Sequence, residues 1–205
     1  MSSMPLLGLT FAAAAALASP VAAQSQVSPT SQVQQHLRAL DTMTAQFTQT
    51  DGKGGTLTGG LTLKRPGKIR FQYQKGVPIL IIGDGTALII IDYQVRQDSR
   101  VPIGSSPLSA LLNPDRDLSK VAKVSSLTDD KNLILDAHDP KHPESGTYRF
   151  SFARVPSAPA GLMLQGWTVL DTQGKQTTVR LAGQRLNVPV SEKAFKWVDP
   201  RLRSR

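Results

Sequence analysis

Cysteine is absent from this sequence of 205 residues. Its absence excludes disulfide bonds, thiolate metal sites, a thiol nucleophile and attachment of a lipid to this chain at an N-terminal cysteine. Aromatic residues make up only 5% of the chain, and acidic residues are outnumbered by Lys and Arg, 15 against 24. The resulting net charge of +9 favours anionic partners. Few aromatic residues and the lack of a nucleic-acid-binding motif predict that nucleic acid is not among them.

Apolar runs long enough to cross a membrane are also missing, because a transmembrane helix needs about 20 apolar residues. Residues 1–23 carry no charge, and the Ala-rich run from Phe11 to Leu17 leads into a small-residue cleavage pattern at Ala22-Ala23. This is typical of a signal peptide cleaved after Ala23, the alternative being a disordered or membrane-tethered N-terminus. We therefore expect a signal peptide at 1–23, one domain at 24–200 and a solvated basic tail at 201–205.

Catalytic and metal-binding motifs are not found. The three histidines, His36, His138 and His142, have no metalloprotease-like spacing, although His138 and His142 in one loop are a possible weak metal pair. There is no nucleophile elbow, and the glycines between 52 and 60 do not open a helix, so a phosphate-binding loop is not supported. We predict no catalytic residue, no metal and no cofactor. A carboxylate pair assembled across strands, as in a secreted β-rich hydrolase, stays open as an alternative.

The hydrophobic pattern predicts one short helix followed by many strands. Val33, Leu37 and Leu40 have helical spacing after a cap at Thr30 or Ser31, and a strand pattern begins at Thr44. The segments Thr56–Arg65 and Lys68–Lys75 form a hairpin around Pro66-Gly67. Apolar residues of the hairpin fall at odd positions, so one of its faces is apolar, and Arg65 belongs to that face by parity.

Two uninterrupted apolar runs, 78–82 and 87–91, form a second hairpin that must be covered on both faces. The N-terminal helix is the expected cover of the outer face. Further strands are predicted at 133–137, 147–153, 163–170 and 177–181. The expected fold is α+β and mainly β, a single strongly curved antiparallel sheet that forms an incomplete, unclosed β-barrel with an N-terminal helix.

One helix signal interrupts the strands. Ser106 as cap and Pro107 at the first position begin a short helix with Leu108, Leu111 and Leu112 that stops at Asn113. Such a helix either plugs the core or forms a lid over a cavity. A guanidinium on the apolar face needs hydrogen-bond acceptors, and the free carbonyls at the end of this helix are candidates for Arg65.

Several of these segments together resemble the LolA family of periplasmic carriers of outer-membrane lipoproteins. The resemblance covers roughly residues 33 to 200. It rests on Phe47-Thr48-Gln49, on the run from Gly60 to Tyr73 that contains Lys64-Arg65-Pro66-Gly67, on Ile82-Gly83-Asp84-Gly85 leading to Asp92, and on Ser106-Pro107-Leu108 with Leu111-Leu112.

The resemblance implies an unclosed β-barrel with a helical lid that encloses a hydrophobic cavity for acyl chains. In that family the arginine of the Arg-Pro step ties the lid to the barrel, and here it is Arg65. The predicted lid residues are Leu108, Leu111 and Leu112. The predicted cavity lining is Phe47, Leu61, Leu63, Ile69, Phe71, Tyr73, Ile89 and Ile91, the last two standing where the family often has aromatic residues.

The implied function is transfer of lipoproteins across the periplasm, without enzymatic activity, by a chain expected to be monomeric. Implied partners are outer-membrane-directed lipoproteins, an inner-membrane lipoprotein-releasing ABC complex and an outer-membrane receptor where one exists. The alternative of the same fold is a periplasmic binding protein for another amphiphile, such as a glycolipid or fatty acid.

Overall fold

The computed structural model describes residues 28–106, 108–113, 115–129 and 131–202. The predicted signal peptide at 1–23 and two arginines of the predicted tail, Arg203 and Arg205, lie outside these residues. Within them, no helix is both long enough and apolar enough to cross a membrane. The main helices are α1 (Pro29–Arg38) and the single turn α2 (Ser109–Leu112).

Eleven strands make one antiparallel sheet. Their bounds are β1 (Thr42–Asp51), β2 (Thr56–Lys64), β3 (Lys68–Tyr73), β4 (Ile79–Asp84), β5 (Ala87–Asp92), β6 (Gln97–Pro102), β7 (Ala122–Asp129), β8 (Asn132–His138), β9 (Thr147–Arg154), β10 (Leu162–Leu170) and β11 (Gln176–Leu186). Their order is β6-β5-β4-β3-β2-β1-β11-β10-β9-β8-β7. Because β6 and β7 are edges that do not pair with each other, the barrel is unclosed, as predicted.

Contacts across the sheet show how strongly it curves. β3 and β10 are four strands apart in the sheet, which would place them about 19 Å apart if the sheet were flat. The rings of Phe71 on β3 and Trp167 on β10 nevertheless lie with their centroids 6.0 Å apart. The sheet therefore bends until its two halves meet, and we call the face on which they meet the inner face.

The β2–β3 hairpin confirms the predicted parity. Leu61 pairs with Phe71 and Leu63 with Ile69, so the odd-numbered apolar residues share the inner face. Gly59 lies opposite Tyr73, where a Cβ would come 2.7 Å from the ring of Phe47 and 2.2 Å from a backbone carbonyl. Glycine at this position therefore makes room for the aromatic side chains of the neighbouring strands.

The position of α1 differs from the prediction. Val33 and Leu37 of α1 pack into the large cluster on the inner face, together with the residues of α2. The helix also begins earlier than expected, because Pro29 occupies its first turn and the side chain of Ser28 caps it by accepting from the Ser31 N–H. The helix thus closes one part of the interior and does not cover the outer face.

The outer face of β3–β6 is covered by the end of the chain. We call residues 188–202 the strap. Trp197 of the strap packs against a separate apolar cluster of Leu80, Ile82, Ile89 and Ile91. Arg70 of β3 donates to the carbonyls of Ala194 and Lys196, at 3.2 and 3.0 Å. Sequence reasoning assigned this role to the N-terminal helix because the strap carries no regular hydrophobic period.

Polar contacts hold both ends of the strap. Near its start, Lys64 and Lys68 pair with Glu192, Lys64 at 2.7 Å. These contacts lower the pKa of Glu192 to about 2, chiefly through the hydrogen bonds from the two lysines. Near its end, Arg201 pairs with Asp98 of β6 at 3.3 Å and with Asp199 at 2.7 Å. Arg201 is therefore ion-paired, while its side chain stays 61% exposed to solvent.

Candidate functional site

The interior between the two halves of the sheet is apolar. Six of the predicted lining residues are buried on the inner face within one cluster: Phe47, Leu61, Leu63, Ile69, Phe71 and Tyr73. The ring of Phe47 meets those of Phe71 and Tyr73 edge to face, with centroids 5.3 and 5.1 Å apart. Tyr73 directs its hydroxyl to Gln49 at 2.7 Å, and burial raises the pKa of Tyr73. The structure thus brings these six residues together around one apolar space.

The prediction that Ile89 and Ile91 line the same space is wrong. Ile89 pairs with Ile82 and Ile91 with Leu80, and these four residues form the outer cluster beneath the strap. Within an apolar run that is buried on both faces, alternation gives no sign of which parity points inward. The inner positions of this hairpin are instead Ile81 and Leu88, which pack against the interior cluster.

The lid residues fill most of the interior. Leu108, Leu111 and Leu112 are buried in the same cluster as the lining residues. The gap between Leu111, Leu37 and Phe150 has no room for a water molecule. Pockets that hold drug-sized ligands usually measure about 300–1,000 Å³. The helix therefore fills the interior in this structure, as either a plug or a closed lid would, and a ligand could enter only if the helix moved.

Backbone and side-chain bonds fasten the lid at two points. At one end, the Gly67 N–H in the β2–β3 turn donates to the Leu112 carbonyl at 3.0 Å. At the other, Arg116 donates to the Gly104 carbonyl at 3.2 Å and to the hydroxyl of Ser109. Arg116 also forms a largely buried ion pair with Asp139, at 2.9 Å. The lid segment is thus bonded to the β2–β3 turn and to the loop after β8.

Arg65 does not make the predicted hydrogen bond to the lid. All three nitrogens of its guanidinium are buried and have no hydrogen-bond partner. Desolvation lowers the pKa of Arg65 to about 10, although the negative charge of Asp41 acts to raise it. The contact between the turn and the lid comes instead from Gly67, two residues along the chain. The prediction of Arg65 as the hydrogen-bonded link is therefore wrong for this closed conformation.

His36 on α1 is a second buried polar group in the same region. Its Nδ1 lies 2.9 Å from the Pro159 carbonyl, and its Nε2 has no hydrogen-bond partner. Burial lowers the pKa of His36, and the charge of Arg65 lowers it further, against the hydrogen bond to Pro159. The imidazole is accordingly neutral and donates from Nδ1. Two polar side chains without full hydrogen bonding therefore stand at the edge of an otherwise apolar interior.

Titratable groups in the described ranges do not form a metal site, since no three His, Asp or Glu side chains there lie close enough together to hold an ion. His142 in the predicted loop pairs with Glu144 at 3.0 Å. A polar groove on the outer face of β8–β11 contains Arg149 and Arg180, and Arg149 is paired with Asp136 at 2.7 Å.

Sequence reasoning missed several residues of the interior and of the lid contacts. The second half of the cluster includes Phe150, Phe152 and Trp167, which face the first half across the interior. Their alternation within strands was visible, but only the bend of the sheet shows that they face Phe71. Arg116 and Asp139 join two loops 23 residues apart, and nothing local in the sequence indicates that these loops meet.

Comparisons with known proteins point to one family. A family model described as "Outer membrane lipoprotein carrier protein LolA" matches residues 38–198. An outer-membrane lipoprotein carrier protein of Chromobacterium violaceum is 29% identical over 195 residues, covering 92% of each chain. One of Dechloromonas aromatica is 28% identical, covering 82% of this chain and 83% of that protein. A solved LolA superfamily protein of Nitrosomonas europaea is 9% identical with a TM-score of 0.45, covering 80% of this chain and 96% of that one.

Proposed function

Because the chain belongs to the LolA family of outer-membrane lipoprotein carriers, we propose that it carries lipoproteins across the periplasm with their acyl chains in the interior beneath the lid. The observation that carries this proposal is the lid itself, a short apolar helix packed on an apolar interior. On the ground of its family we propose that the protein acts as a non-enzymatic chaperone.

The physical need for such a carrier follows from the hydrophobic effect. Each methylene group moved out of water contributes about 0.8 kcal/mol, so a lipoprotein with several acyl chains cannot cross an aqueous space unaided. The interior supplies an apolar surface in place of the membrane. In the empty protein the three lid leucines occupy that surface, and we propose that they are displaced as the acyl chains enter.

Release of the cargo requires that binding be weaker than burial alone would make it. The lid opposes binding of the cargo, because its three leucines must leave the interior when the acyl chains enter. Their burial is regained when the cargo leaves, which lowers the net free energy of binding. Arg65 reduces the affinity further, since its guanidinium makes the edge of the interior less favourable for hydrocarbon. The partners proposed for loading and unloading are an inner-membrane lipoprotein-releasing ABC complex and an outer-membrane receptor. The proposed boundaries remain a signal peptide at 1–23 and a carrier domain at 24–200.

The two tryptophans of the chain provide a direct test. Trp167 faces the interior and Trp197 lies in the strap on the outer face. In a Trp197→Phe variant, a triacylated synthetic lipopeptide with brominated acyl chains should quench Trp167, because bromine quenches only on contact. In the matched Trp167→Phe variant, Trp197 should keep its fluorescence.

The same measurement separates the alternatives. The non-acylated peptide should leave both tryptophans unchanged. A brominated fatty acid or glycolipid that quenches Trp167 while the lipopeptide does not would favour the binding of another amphiphile. If no brominated ligand quenches Trp167, the proposed carrier function is wrong.

A further inference from the structure

The lid leaves part of the inner face uncovered. Beyond β3 the sheet continues into β4, β5 and β6, and five aliphatic side chains point inward there by register. We call them the shelf: Ile79, Ile81, Leu88, Ile90 and Val101. The pairs Phe71 with Ile81 and Ile81 with Ile90 place them in line with the interior residues. The shelf is therefore a direct extension of the apolar interior.

Exposure increases along the shelf towards the edge of the sheet. Phe71 is buried, Ile81 is half-buried and Ile90 is 41% exposed. A parallel row runs from buried Ile69 through half-buried Leu88 to Val101, which is 39% exposed. A graded apolar surface of this kind is unusual on an antiparallel sheet, whose solvent-facing positions are normally polar.

Other apolar surfaces of similar exposure do not form such a row. Val95 lies in the turn between β5 and β6 at 58% exposure, and Leu170 ends β10 at 46%. Single exposed aliphatic residues are ordinary and need no explanation. A contiguous apolar row that continues a buried cluster is instead typical of surfaces that bind an apolar partner.

We infer that the shelf binds part of an acyl chain of the cargo in the loaded protein, outside the lid. The inference rests on the proposed carrier function and extends it. Its first support is continuity, because Ile79, Ile81 and Leu88 already pack against the interior cluster. Its second support is space, because the gap between the lid and the interior residues Leu37 and Phe150 is too small even for a water molecule. A chain that leaves the lid along this face stays on apolar surface.

Polar groups border the shelf where a chain would meet water. On the inner face Ile90 pairs with Ser99 of β6, and Asp92 and Gln97 form the next pair along the two strands. The edge of the shelf is thus suited to the ester and amide groups at the head of an acyl chain, while its centre is suited to hydrocarbon. Protein–protein interfaces are enriched in aromatic residues, and the shelf contains no aromatic residue.

Substitution of the two exposed shelf residues tests the inference. Ile90→Asp and Val101→Asp should each weaken binding of the triacylated lipopeptide about five- to tenfold, since each places a charge where hydrocarbon is bound. The matched controls Leu170→Asp and Val95→Asp, at similarly exposed positions away from the shelf, should leave the dissociation constant unchanged. Trp167 fluorescence in the Trp197→Phe background reports binding in all four variants.

A second measurement does not depend on substitution by charge. Because the chain has no cysteine, Ile90→Cys and Leu170→Cys can each be labelled with an environment-sensitive fluorophore. Addition of the lipopeptide should shift the emission of the label at 90 to shorter wavelength and leave the label at 170 unchanged.

Three outcomes would overturn the inference. If both shelf variants bind the lipopeptide as tightly as the wild-type protein does, the shelf is not a binding surface, and the proposed carrier function is unaffected. A wild-type dimer in sedimentation that dissociates on Ile90→Asp would identify the shelf as a contact between copies. Failure of the wild-type protein itself to bind lipopeptide would instead reject the carrier function on which the inference rests.

Discussion

The unpaired guanidinium of Arg65 is the most costly feature of the interior. Its three nitrogens are buried without a hydrogen-bond acceptor, and burying such a charge is costly, although the charge of Asp41 offsets part of the cost. Buried polar groups without hydrogen bonds are uncommon in proteins, and strongly perturbed groups are frequent at functional sites. In a carrier, a charge at the edge of the interior limits how tightly hydrocarbon is held.

We predict that Arg65→Leu raises the free energy of unfolding of the empty protein by about 1–2 kcal/mol, because it removes a buried charge that has no hydrogen-bond partner while leaving a small cavity. Urea unfolding measures this change. The same variant should release the brominated lipopeptide more slowly, because its interior is uniformly apolar. Arg65→Lys keeps the charge and serves as the control. A less stable Arg65→Leu variant would show instead that Arg65 holds the lid in place.

His36 makes stability depend on pH. Burial lowers its pKa in the folded protein below the value of about 6.5 that it has in the unfolded chain. Below that pH the unfolded chain takes up a proton that the folded protein resists, so the free energy of unfolding falls as the pH falls. Above pH 7 both states are neutral and the effect disappears.

We predict that the unfolding free energy decreases between pH 7.5 and pH 5.5 by an amount that His36→Gln removes in large part, with a maximum slope of about 1.4 kcal/mol per pH unit. Glutamine retains a donor for the Pro159 carbonyl but does not titrate. Urea unfolding of both proteins across this range is the measurement. Equal slopes in the two proteins would show that His36 is not the source of the pH dependence.

At the scale of elements, the lid is held by packing and by two polar attachments. α2 is a single turn, too short to be stable alone, and its leucines are buried in the interior cluster. Gly67 bonds one end of the lid and Arg116 the other. We therefore expect loss of either attachment to lower the free energy of lid opening.

We predict that Arg116→Met increases the opening of the lid, because it leaves Asp139 largely buried without its cation. Amide hydrogen exchange at Leu111 and Leu112 should become about tenfold faster, which corresponds to about 1.4 kcal/mol. The control Arg149→Met removes an arginine whose pair with Asp136 is mostly exposed, and it should change exchange very little. Equal exchange in both variants would show that Gly67 alone holds the lid.

The elements that could be predicted from the sequence are those with a clear period or turn signal. The β2–β3 hairpin follows from alternation around Pro66-Gly67, and the register confirms it. β6 was missed because Gln97–Pro102 carries one apolar residue, Val101, and no alternation. The inward parity of 87–91 could not be predicted, because both faces of that strand are buried or half-buried along most of its length.

The site shows the same division between local and distant information. The burial of six predicted lining residues and three predicted lid leucines in one cluster follows from strand parity and helix spacing, which are local properties. Phe150 and Trp167 were missed because only the bend of the whole sheet brings them opposite Phe71. The pairing of Arg116 with Asp139 joins two loops, and its geometry appears only after the strands between them have folded.

At the scale of the whole molecule, one sheet has two apolar faces with separate roles. The inner face contains the interior cluster, the lid and the shelf. The outer face of β3–β6 carries the smaller cluster, which the strap covers. An uncovered cluster beside the open edge β6 would promote aggregation. The strap therefore covers the outer face of β3–β6, and the proposed cargo site lies on the opposite, inner face.

We predict that Trp197→Ala lowers the free energy of unfolding by about 1–3 kcal/mol, because it uncovers Leu80, Ile82, Ile89 and Ile91. Val198→Ala, in the same strap but exposed, should change it by less than about 0.5 kcal/mol. Quenching of Trp167 by brominated lipopeptide should stay as in Trp197→Phe, because the strap does not reach the inner face. Loss of lipopeptide binding in a Trp197→Ala protein that remains folded would show that the two faces are coupled, so that the strap sets the position of the shelf as well as the stability of the sheet.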